Sequence, residues 1–298
     1  MSTKNMVLKK DLKEKRELVN IAIDRFLPRK DEYPKQIHKA IRHTLFAGGK
    51  RLRPYLLINT YKLFKQDVAE TLMVAGAIEM LHTYTLIHDD LPEIDDADYR
   101  RGRASCHVIF GSDIALLAGD ALLVYAFQAI ADDDKVDKKL RLEFLHELAK
   151  DAGHLGLIAG QIIDIQSEGQ KVSKETLEYI HANKTGRLIS LAIRFGCKLA
   201  GTSEEDEKNM EIFGKKIGLA FQIVDDILDI EGSQEKLGKA TGKDLKAKKA
   251  TFPAVYGLEK SRKMAEKLIA EAKELLAPYE DRAELLLMLC DFIETRKF

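Results

Sequence analysis

The chain has 298 residues, and its 48 lysines and arginines balance its 48 aspartates and glutamates. This neutrality excludes a global field that would favour nucleic acid or an anionic membrane, so any charge-based function must lie in local clusters. Hydrophobic residues make up 45% and charged residues 32%, which excludes an intrinsically disordered chain. Because no linker, repeat or low-complexity tract divides the sequence, we expect one domain over residues 1–298.

The cysteines, Cys106, Cys197 and Cys290, are odd in number and widely spaced, with no CxxC arrangement. A disulfide framework or a thiolate zinc site is therefore not expected, and a reducing compartment is favoured. Residues 1–20 are charged throughout and lack the apolar run of a signal peptide. These features predict a cytoplasmic protein.

Almost every segment predicts a helix. Residues 70–90 combine helix formers and small residues for about five turns, residues 140–150 are amphipathic, and residues 215–232 resemble the first of these. The most apolar stretch, 114–131, is interrupted by polar side chains, so we expect a buried helix there and no membrane span. The pattern predicts an all-α fold, a single large helical bundle around a central active-site cavity.

An acidic cluster closes the first apolar helix. Asp89 and Asp90 end the helix, Pro92 interrupts it because a proline ring clashes inside a helix, and Asp95 and Asp96 follow. Crowded carboxylates raise one another's pKa unless a cation joins them. Hard oxygen ligands suit Mg²⁺, which keeps several waters and bridges to phosphate oxygens. The stretch is therefore a candidate magnesium site rather than a solvated loop.

A second acidic cluster lies on the helix predicted at 215–232. Asp225 and Asp229 are four residues apart and share one helical face, with Asp226 beside them and apolar neighbours around them. Two acidic patches on two apolar helices predict a cavity that holds several Mg²⁺ ions between them.

Basic residues occur in short groups that would suit a diphosphate. Arginine forks and lysine point charges are the usual partners of phosphate, whereas any one of these residues alone would be an ordinary surface residue. The sequence has neither a Walker loop nor a glycine-rich nucleotide turn, which indicates a diphosphate that is not on a nucleotide. The groups are Lys50, Arg51 and Arg53; Arg100 and Arg101; His181, Lys184 and Thr185; and Lys243, Lys248 and Lys249.

These motifs resemble a known family. "DDLPEIDDADYRRG" is similar to the first aspartate-rich motif of the trans-isoprenyl diphosphate synthases, and "DDILD" is similar to the second. "GGKRLRP", "HTYTLIHDD", "GQIIDI", "NKTGRLI" and "KKATFP" follow in the family's order, so the resemblance covers residues 35–253. It implies an all-α bundle of the isoprenoid synthase type around a deep cavity, a homodimer, and isoprenoid diphosphates as substrates.

The resemblance also implies roles for individual residues. The magnesium ligands would be Asp89, Asp95 and Asp225, supported by Asp90, Asp96 and Asp229, with three Mg²⁺ ions once substrate is bound. Isopentenyl diphosphate would contact Lys50, Arg53, His82 and Arg101, and the allylic diphosphate would contact Arg100, Lys184 and Lys249. Thr185 and Gln222 would line the reaction centre, with Gln161 and Asp164 close to it. The expected catalytic set is Asp89, Asp95, Arg100, Lys184, Thr185, Gln222, Asp225 and Lys249.

The expected reaction condenses isopentenyl diphosphate with dimethylallyl or geranyl diphosphate to give (2E,6E)-farnesyl diphosphate and diphosphate. Tyr84 and the spacer "LPEI" resemble bacterial farnesyl diphosphate synthases. Tyr84 precedes Asp89 by five residues, so it lies more than a turn deeper and points about 140° away. It could close the floor of the cavity or simply pack in the core. Geranylgeranyl diphosphate remains the alternative product.

Three positions depart from the usual family pattern. Ala97 replaces an acid, Val108 replaces a lysine, and Lys248 stands where glycine or asparagine is common. None is assigned to catalysis, so we expect an effect on substrate affinity.

Three other functions compete with this interpretation. A di-iron carboxylate bundle would use Glu79 with His82 and Glu143 with His146, but Glu143 and His146 point away from the apolar face of their helix. A class I terpene cyclase shares the first motif but usually has a second metal motif of an Asn/Ser/Glu type. A non-catalytic subunit of a heteromeric synthase commonly lacks intact aspartate motifs.

Overall fold

The structure, a computed structural model, describes residues 3–231 and 250–295, and that part of the chain is almost entirely helical. One short antiparallel hairpin pairs Tyr99 with Ala104. The elements are α1 Thr3–Phe26, α2 Lys35–Leu45, α3 Leu52–Lys62, α4 Leu72–Asp89, β1 Tyr99–Arg100, β2 Arg103–Ala104, α5 Cys106–Phe110, α6 Ser112–Ala131, α7 Lys138–Ala152, α8 Leu157–Ser167, α9 Lys174–His181, α10 Arg187–Ala200, α11 Glu204–Glu231, α12 Phe252–Tyr256, α13 Leu258–Leu276 and α14 Glu284–Glu294. The all-α prediction is confirmed.

Local signals set several of the helix ends. Asp137 caps α7 because its carboxylate accepts a hydrogen bond from the Lys139 backbone N–H at 2.9 Å. Ser173 caps α9 by accepting from the Thr176 N–H at 3.1 Å. Gly201 ends α10 in the left-handed conformation, at φ 67°, where a residue with a Cβ would be strained. These boundaries fix the registers of the helices that carry the site.

Two groups of buried apolar side chains form the core. One is built mainly by α1, α4, α6, α7 and α10, and in it Phe144 stacks on Phe195 with ring centroids 4.1 Å apart. The other is built mainly by α3, α10, α11, α13 and α14 around residues such as Phe213. Burying one such side chain stabilises the fold by about 2 kcal/mol. Because α3 and α10 contribute to both groups, they form a wall shared by the two halves.

Helix α6 corrects one expectation. The predicted helix is present, but the prediction that it is buried is wrong. Leu116, Leu117 and Val124 are 46%, 54% and 64% exposed. One face packs on α4 and α2, and the opposite face does not contact the core. By length and composition, α6 is the one described helix that could cross a membrane, a pattern that core helices of soluble proteins also show.

Candidate active site

The first acidic cluster leaves the end of α4 as a closed loop. The backbone N–H of Asp95 donates to the carbonyl of Asp89 at 2.9 Å, and that of Ala97 donates to the carbonyl of Asp90 at 3.2 Å. Pro92 lies in the turn between them, as predicted. These bonds bring Asp95 back beside Asp89. Both side chains are half-buried and Asp96 is exposed, so carboxylate oxygens are accessible at this end of α4.

Asp90 binds a guanidinium instead of facing out with Asp89. The single N–H of Arg100 Nε is shared between the two carboxylate oxygens of Asp90, at 2.9 and 3.1 Å, and Arg100 Nη2 donates a further bond. Ser105 Oγ donates to the same carboxylate at 3.3 Å. Asp90 is only 1% exposed. Although burial lowers the pKa of Arg100, the hydrogen bonds and charge of Asp90 outweigh it and raise that pKa, so Arg100 is a permanent cation.

The adjacent Arg101 is directed to a different place by the hairpin turn. Arg101 has φ 54° and Gly102 has φ 74°, so the chain reverses between β1 and β2. Arg101 Nη1 donates to the carbonyl of Gly48 at 2.7 Å, and its Nη2 lies 3.9 Å from Glu79 Oε1. Two consecutive arginines thus have different partners: Arg100 binds Asp90, whereas Arg101 binds the Gly48 carbonyl and lies beside Glu79.

Glu79 is a buried anchor for two arginines. Besides Arg101, it accepts a hydrogen bond from Arg51 Nη1 at 2.7 Å, and Glu79 and Arg51 are 1% and 3% exposed. The remaining donors of Arg51 bind Asn20 and the carbonyl of Leu45. Arg51 therefore has a structural role, and the carboxylate of Glu79 is not available as an iron ligand. This disfavours the di-iron alternative.

The glycine pair before these cations allows a close approach. Gly48 and Gly49 have φ 97° and 104°. A Cβ on Gly49 would lie 2.7 Å from Cζ of Arg101, whereas a Cβ on Gly48 would meet nothing within 4 Å. Gly49 is thus required both for its backbone conformation and for the position of the Arg101 guanidinium.

Arg53 and His82 lie within the same basic cluster. Burial lowers the pKa of Arg53 to about 10; Glu79 and Asp225 act in the opposite direction, and Arg101 adds to the lowering. Burial also holds the pKa of His82 well below its ordinary value, and nearby arginines, led by Arg53 and Arg101, reinforce this. The lowered pKa favours the neutral imidazole of His82, and the influence of Asp225 on Arg53 links the basic cluster to the second acidic motif.

The second acidic motif lies entirely inside α11. Asp225 is half-buried, while Asp226 and Asp229 are each 3% exposed. Asp226 accepts hydrogen bonds from Gln222 Nε2 at 2.8 Å and from the backbone N–H of Phe252 at 2.9 Å. Asp226, the second acid of the Asp225-Asp226 pair, thus has hydrogen-bond donors within the protein, as Asp90 has in the Asp89-Asp90 pair.

A widened helical turn carries the next candidate residues. Residues 182–186 form a π-helical segment between α9 and α10, a feature frequent at functional sites. Lys184 Nζ donates to Asp164 Oδ2 at 2.6 Å, and Thr185 Oγ1 donates to Gln222 Oε1 at 2.9 Å. Thr185 is therefore connected through Gln222 to Asp226 and the second motif.

Contacts on the far side hold this π segment in place. Arg187 Nε donates to Asn183 Oδ1 at 3.0 Å, and Arg187 Nη1 donates to Asp151 Oδ1 at 3.3 Å. Asn183 Nδ2 satisfies the carbonyl of Tyr179 at 2.9 Å. A Cβ on Gly160 would lie 2.5 Å from the Lys184 backbone nitrogen, so α8 packs directly against the segment.

The acidic residues present fit Mg²⁺ as a ligand set. Within residues 3–231 and 250–295, no three histidine, cysteine, aspartate or glutamate side chains already converge on one metal position. Asp89, Asp95 and Asp225 are nevertheless half-buried carboxylates, and carboxylate oxygens are the donors that Mg²⁺ prefers. Mg²⁺ is usually completed by waters and substrate phosphates, so a site that forms with the diphosphate fits these residues.

Comparison with known proteins decides the family. The sequence profile described as polyprenyl synthetase matches residues 34–284. The chain belongs to the polyprenyl synthetase family. Geranylgeranyl diphosphate synthase from Cyanophora paradoxa is 45% identical over 287 residues, 96% of this chain and 95% of that protein. Farnesyl diphosphate synthase from Geobacillus stearothermophilus is 42% identical over 287 residues, 96% of each chain.

Solved structures agree with this family and fold. An FPP/GFPP synthase from Zymomonas mobilis matches with a TM-score of 0.88 at 32% identity, over 97% of this chain and 99% of that one. A geranyltransferase from Helicobacter pylori, complexed with magnesium and isoprenyl diphosphate, matches with a TM-score of 0.84 at 30% identity, over 99% and 98%. The chain is a short-chain trans-prenyltransferase of isoprenoid biosynthesis, and members of its family bind magnesium.

The remaining predicted site residues of this prenyltransferase differ in burial and in their contacts. Tyr84 is 6% exposed and packs edge-on against His88, with ring centroids 5.4 Å apart, and burial raises its pKa to about 12. Gln161 is half-buried on α8. Lys50 is exposed, with its Nζ 5.0 Å from the centroid of the Phe292 ring on α14. Outside the described residues lie Lys243, Lys248 and Lys249.

Two of the departures from the family pattern have contrasting environments. Ala97 is 4% exposed and lies in the closed loop after Asp90, whereas Val108 is 48% exposed on α5. The small side chain of Ala97 fits this buried position without placing a further charge in the loop.

Sequence reasoning named Asp90 and Asp164, which bind Arg100 and Lys184, but it missed several other residues that hold the site in place. Glu79 entered only as a possible iron ligand, and Asp151, Arg187 and Ser105 carried no signal. One signal was available: Glu79 and His82 are three residues apart and share a face of α4, so an acid beneath the basic cluster could have been inferred.

Proposed function

We propose that this prenyltransferase makes (2E,6E)-farnesyl diphosphate from isopentenyl diphosphate and dimethylallyl or geranyl diphosphate. The observation that carries the proposal is the pair of adjacent arginines fixed in separate places, Arg100 on Asp90 and Arg101 on the Gly48 carbonyl beside Glu79. This arrangement offers two neighbouring anionic positions, one for each diphosphate.

The two positions differ in their surroundings. The allylic diphosphate would meet Arg100, Lys184 and Lys249, close to the acidic motifs. Isopentenyl diphosphate would meet Lys50, Arg53, His82 and Arg101. Because the pKa of His82 is held low by burial and by its arginine neighbours, we assign it a neutral hydrogen-bonding role.

Asp89, Asp95 and Asp225, with Asp96 and Asp229, would hold three Mg²⁺ ions together with the allylic diphosphate. Bound Mg²⁺ would stabilise the negative charge that develops on the leaving diphosphate. We assign Asp90 a positioning role in place of direct ligation, because its carboxylate accepts the hydrogen bonds of Arg100.

The reaction balances within the two substrates. The allylic carbon–oxygen bond breaks with its electron pair going to the diphosphate, whose charge Arg100 and Lys184 stabilise. The double bond of isopentenyl diphosphate, oriented by Arg53 and Arg101, then forms the new carbon–carbon bond. The proton lost in forming the new double bond goes to the released diphosphate, so no side chain is assigned as base.

The proposed chain length depends on Tyr84. Identity does not discriminate between products, because geranylgeranyl and farnesyl diphosphate synthases are 45% and 42% identical to this chain. The feature that bears on product length is the buried ring of Tyr84, which packs against His88. Tyr84 lies about 7 Å deeper along α4 than Asp89. A ring there would stop the growing tail at fifteen carbons.

Product sizing tests the function directly. The protein is incubated with Mg²⁺, isopentenyl diphosphate and each allylic starter, and the products are separated by length. We expect fifteen carbons from the native enzyme, twenty or more from Tyr84→Ala, and fifteen again from Tyr84→Phe, which keeps the ring. Twenty carbons from the native enzyme would establish the geranylgeranyl alternative, and an unchanged product from Tyr84→Ala would remove Tyr84 as the floor.

The glycine pair provides a test of the isopentenyl diphosphate position. Gly49→Ala should raise KM for isopentenyl diphosphate about tenfold, because its Cβ would displace the Arg101 guanidinium. Gly48→Ala is the matched control, since it has a similar positive φ but an open Cβ position. Equal effects of the two variants would show that backbone strain, and not Arg101, is responsible.

We also propose a cytosolic homodimer formed through the exposed apolar face of α5 and α6. Val108, Ile109, Leu117 and Val124 are 48%, 53%, 54% and 64% exposed, and such patches usually mark interfaces. Sedimentation analysis should give a dimer for the native chain and a monomer for Val124→Glu. A native monomer at micromolar concentration would exclude this interface.

A further inference from the structure

A cavity of about 520 Å³ opens at the end of α4 remote from the first aspartate motif. It lies between α1, the first turn of α4, the end of α6 and the turn that follows α6. Because α4 has 18 residues, its first turn is about 25 Å from Asp89. A ligand here would not meet the site of the prenyl transfer.

The inner wall of this distal cavity is apolar. Phe26 and Met73 line it together with Leu18 and Ile21, which remain 42% and 49% exposed at its mouth. Its volume falls in the range of small-molecule sites, which are mostly apolar with a few polar groups that fix orientation.

One carboxylate in the wall, that of Asp133, has an oxygen without a hydrogen-bond partner in the described part of the chain. Asp133 is 8% exposed, and its Oδ1 accepts a single long hydrogen bond from the Lys135 backbone N–H at 3.3 Å. Its Oδ2 is buried and has no hydrogen-bond partner among the described residues. Burial raises the pKa of this carboxyl. A buried carboxylate oxygen without a donor is costly, and a bound cation would remove that cost.

The charged residues around the distal cavity indicate the charge of the ligand that it would bind. Asp132, Asp133 and Asp134 follow one another on one side, and Arg25 and Lys135 are the basic residues of the lining. The lining therefore carries one excess negative charge. A monocation is favoured, and a diphosphate would face three carboxylates.

We propose that the distal cavity binds a small amphipathic monocation, with a primary ammonium group on Asp133 and a short hydrocarbon tail against α1 and α4. The ligand has the opposite charge to the isoprenoid diphosphates, so this inference is independent of the proposed reaction.

The probe is octylammonium chloride, titrated into the full chain carrying ¹³C-labelled methionine methyl groups. The Met73 signal, assigned with a Met73→Leu variant, should shift and saturate. Octan-1-ol, which has the same tail without charge, should bind at least tenfold more weakly, and octanoate should not bind. An unmoved Met73 signal, or equal binding of octan-1-ol, would overturn the proposal.

Two aspartate variants separate the buried charge from general electrostatics. Asp133→Asn keeps the shape and the acceptor for Lys135 while removing the charge, and it should weaken octylammonium binding at least tenfold with turnover unchanged. Asp134→Asn removes an exposed neighbouring charge and should weaken binding less than threefold. Equal effects would contradict a site built on Asp133. Ala22→Phe, which fills the distal cavity, should abolish binding while the circular dichroism spectrum stays native.

Discussion

The first aspartate motif leaves α4 and continues through a loop, whereas the second lies wholly within α11. In both, the leading acid is half-buried and the following acid is buried: Asp90 is 1% and Asp226 is 3% exposed. The buried acids bind different partners. Asp90 binds the guanidinium of Arg100, whereas Asp226 accepts from a neutral amide and a backbone N–H.

The different partners indicate that the second acid has a different role in each Asp-Asp pair. The leading acids, Asp89 and Asp225, are half-buried and are the ones assigned to metal. Asp90 neutralises Arg100, a cation that is assigned to substrate binding. Loss of Asp90 should therefore weaken binding of the allylic diphosphate. Asp226 accepts hydrogen bonds from Gln222 and from the backbone of Phe252, so its loss should mainly lower the free energy of unfolding.

The largest effect is expected at the leading acids. Asp89→Ala and Asp225→Ala should each lower kcat on the order of a thousandfold, because each removes a ligand for the ions that stabilise the leaving diphosphate. Steady-state turnover at saturating Mg²⁺ measures this. Asp98→Ala, an exposed acid beyond the first motif, should keep native turnover. Near-normal turnover in either leading-acid variant would refute the metal assignment.

The next effect is expected at Asp90. Asp90→Asn leaves Arg100 with a neutral partner, so the guanidinium should lose its fixed position. KM for the allylic diphosphate should rise ten- to a hundredfold, on the scale of one lost charged hydrogen bond, with a smaller change in kcat. KM for isopentenyl diphosphate serves as the internal control and should change little. A pure loss of kcat would instead make Asp90 a metal ligand.

The leading acids and their helices could be predicted from sequence because they depend on local pattern. Helix α4 was expected over 70–90 and ends at Asp89, and Pro92 accounts for the loop that returns Asp95. The partners of the cations could not be predicted in the same way. Asp90 reaches Arg100 across a loop, and Glu79 on α4 binds Arg51, which lies just before α3.

Burial and backbone detail were similarly beyond local pattern. The apolar stretch of α6 predicts a buried helix, yet Val124 is 64% exposed, because hydrophobicity does not say which face meets the core. The π segment at residues 182–186 depends on Asn183 satisfying the Tyr179 carbonyl and on Arg187 reaching Asp151. The first of these contacts is local, but the second joins two segments that lie 36 residues apart in sequence.

A pH-dependent effect on stability is expected beside the second motif. His181 stacks on Phe252, with its Nε2 3.8 Å from Asp226 Oδ2, and burial lowers its pKa from 6.5 to about 4. Below about pH 6.5 the unfolded chain takes up a proton that the folded chain does not. The resulting stability is therefore complete above pH 6.5 and is lost as the pH falls towards 4, by about 1.4 kcal/mol per pH unit.

Chemical denaturation of the native chain and His181→Phe between pH 7 and 5.5 measures this contribution. The variant keeps a ring against Phe252 but has no imidazole to titrate, so its unfolding free energy should fall less steeply with acid. His154→Asn changes an exposed histidine and should keep the native slope. Parallel curves for the native chain and His181→Phe would exclude the depressed pKa.

The smallest effect is expected at Asp226. Asp226→Asn keeps an acceptor for one of its two donors, so one hydrogen bond is lost and the free energy of unfolding should fall by about 1 kcal/mol. Turnover should stay within about threefold of native, since the reaction does not use this carboxylate in our assignment. Denaturation and steady-state kinetics on the same preparation separate the two quantities. A loss as large as that of Asp225→Ala would place Asp226 among the ligands, and the two buried acids would then differ in kind as well as in partner.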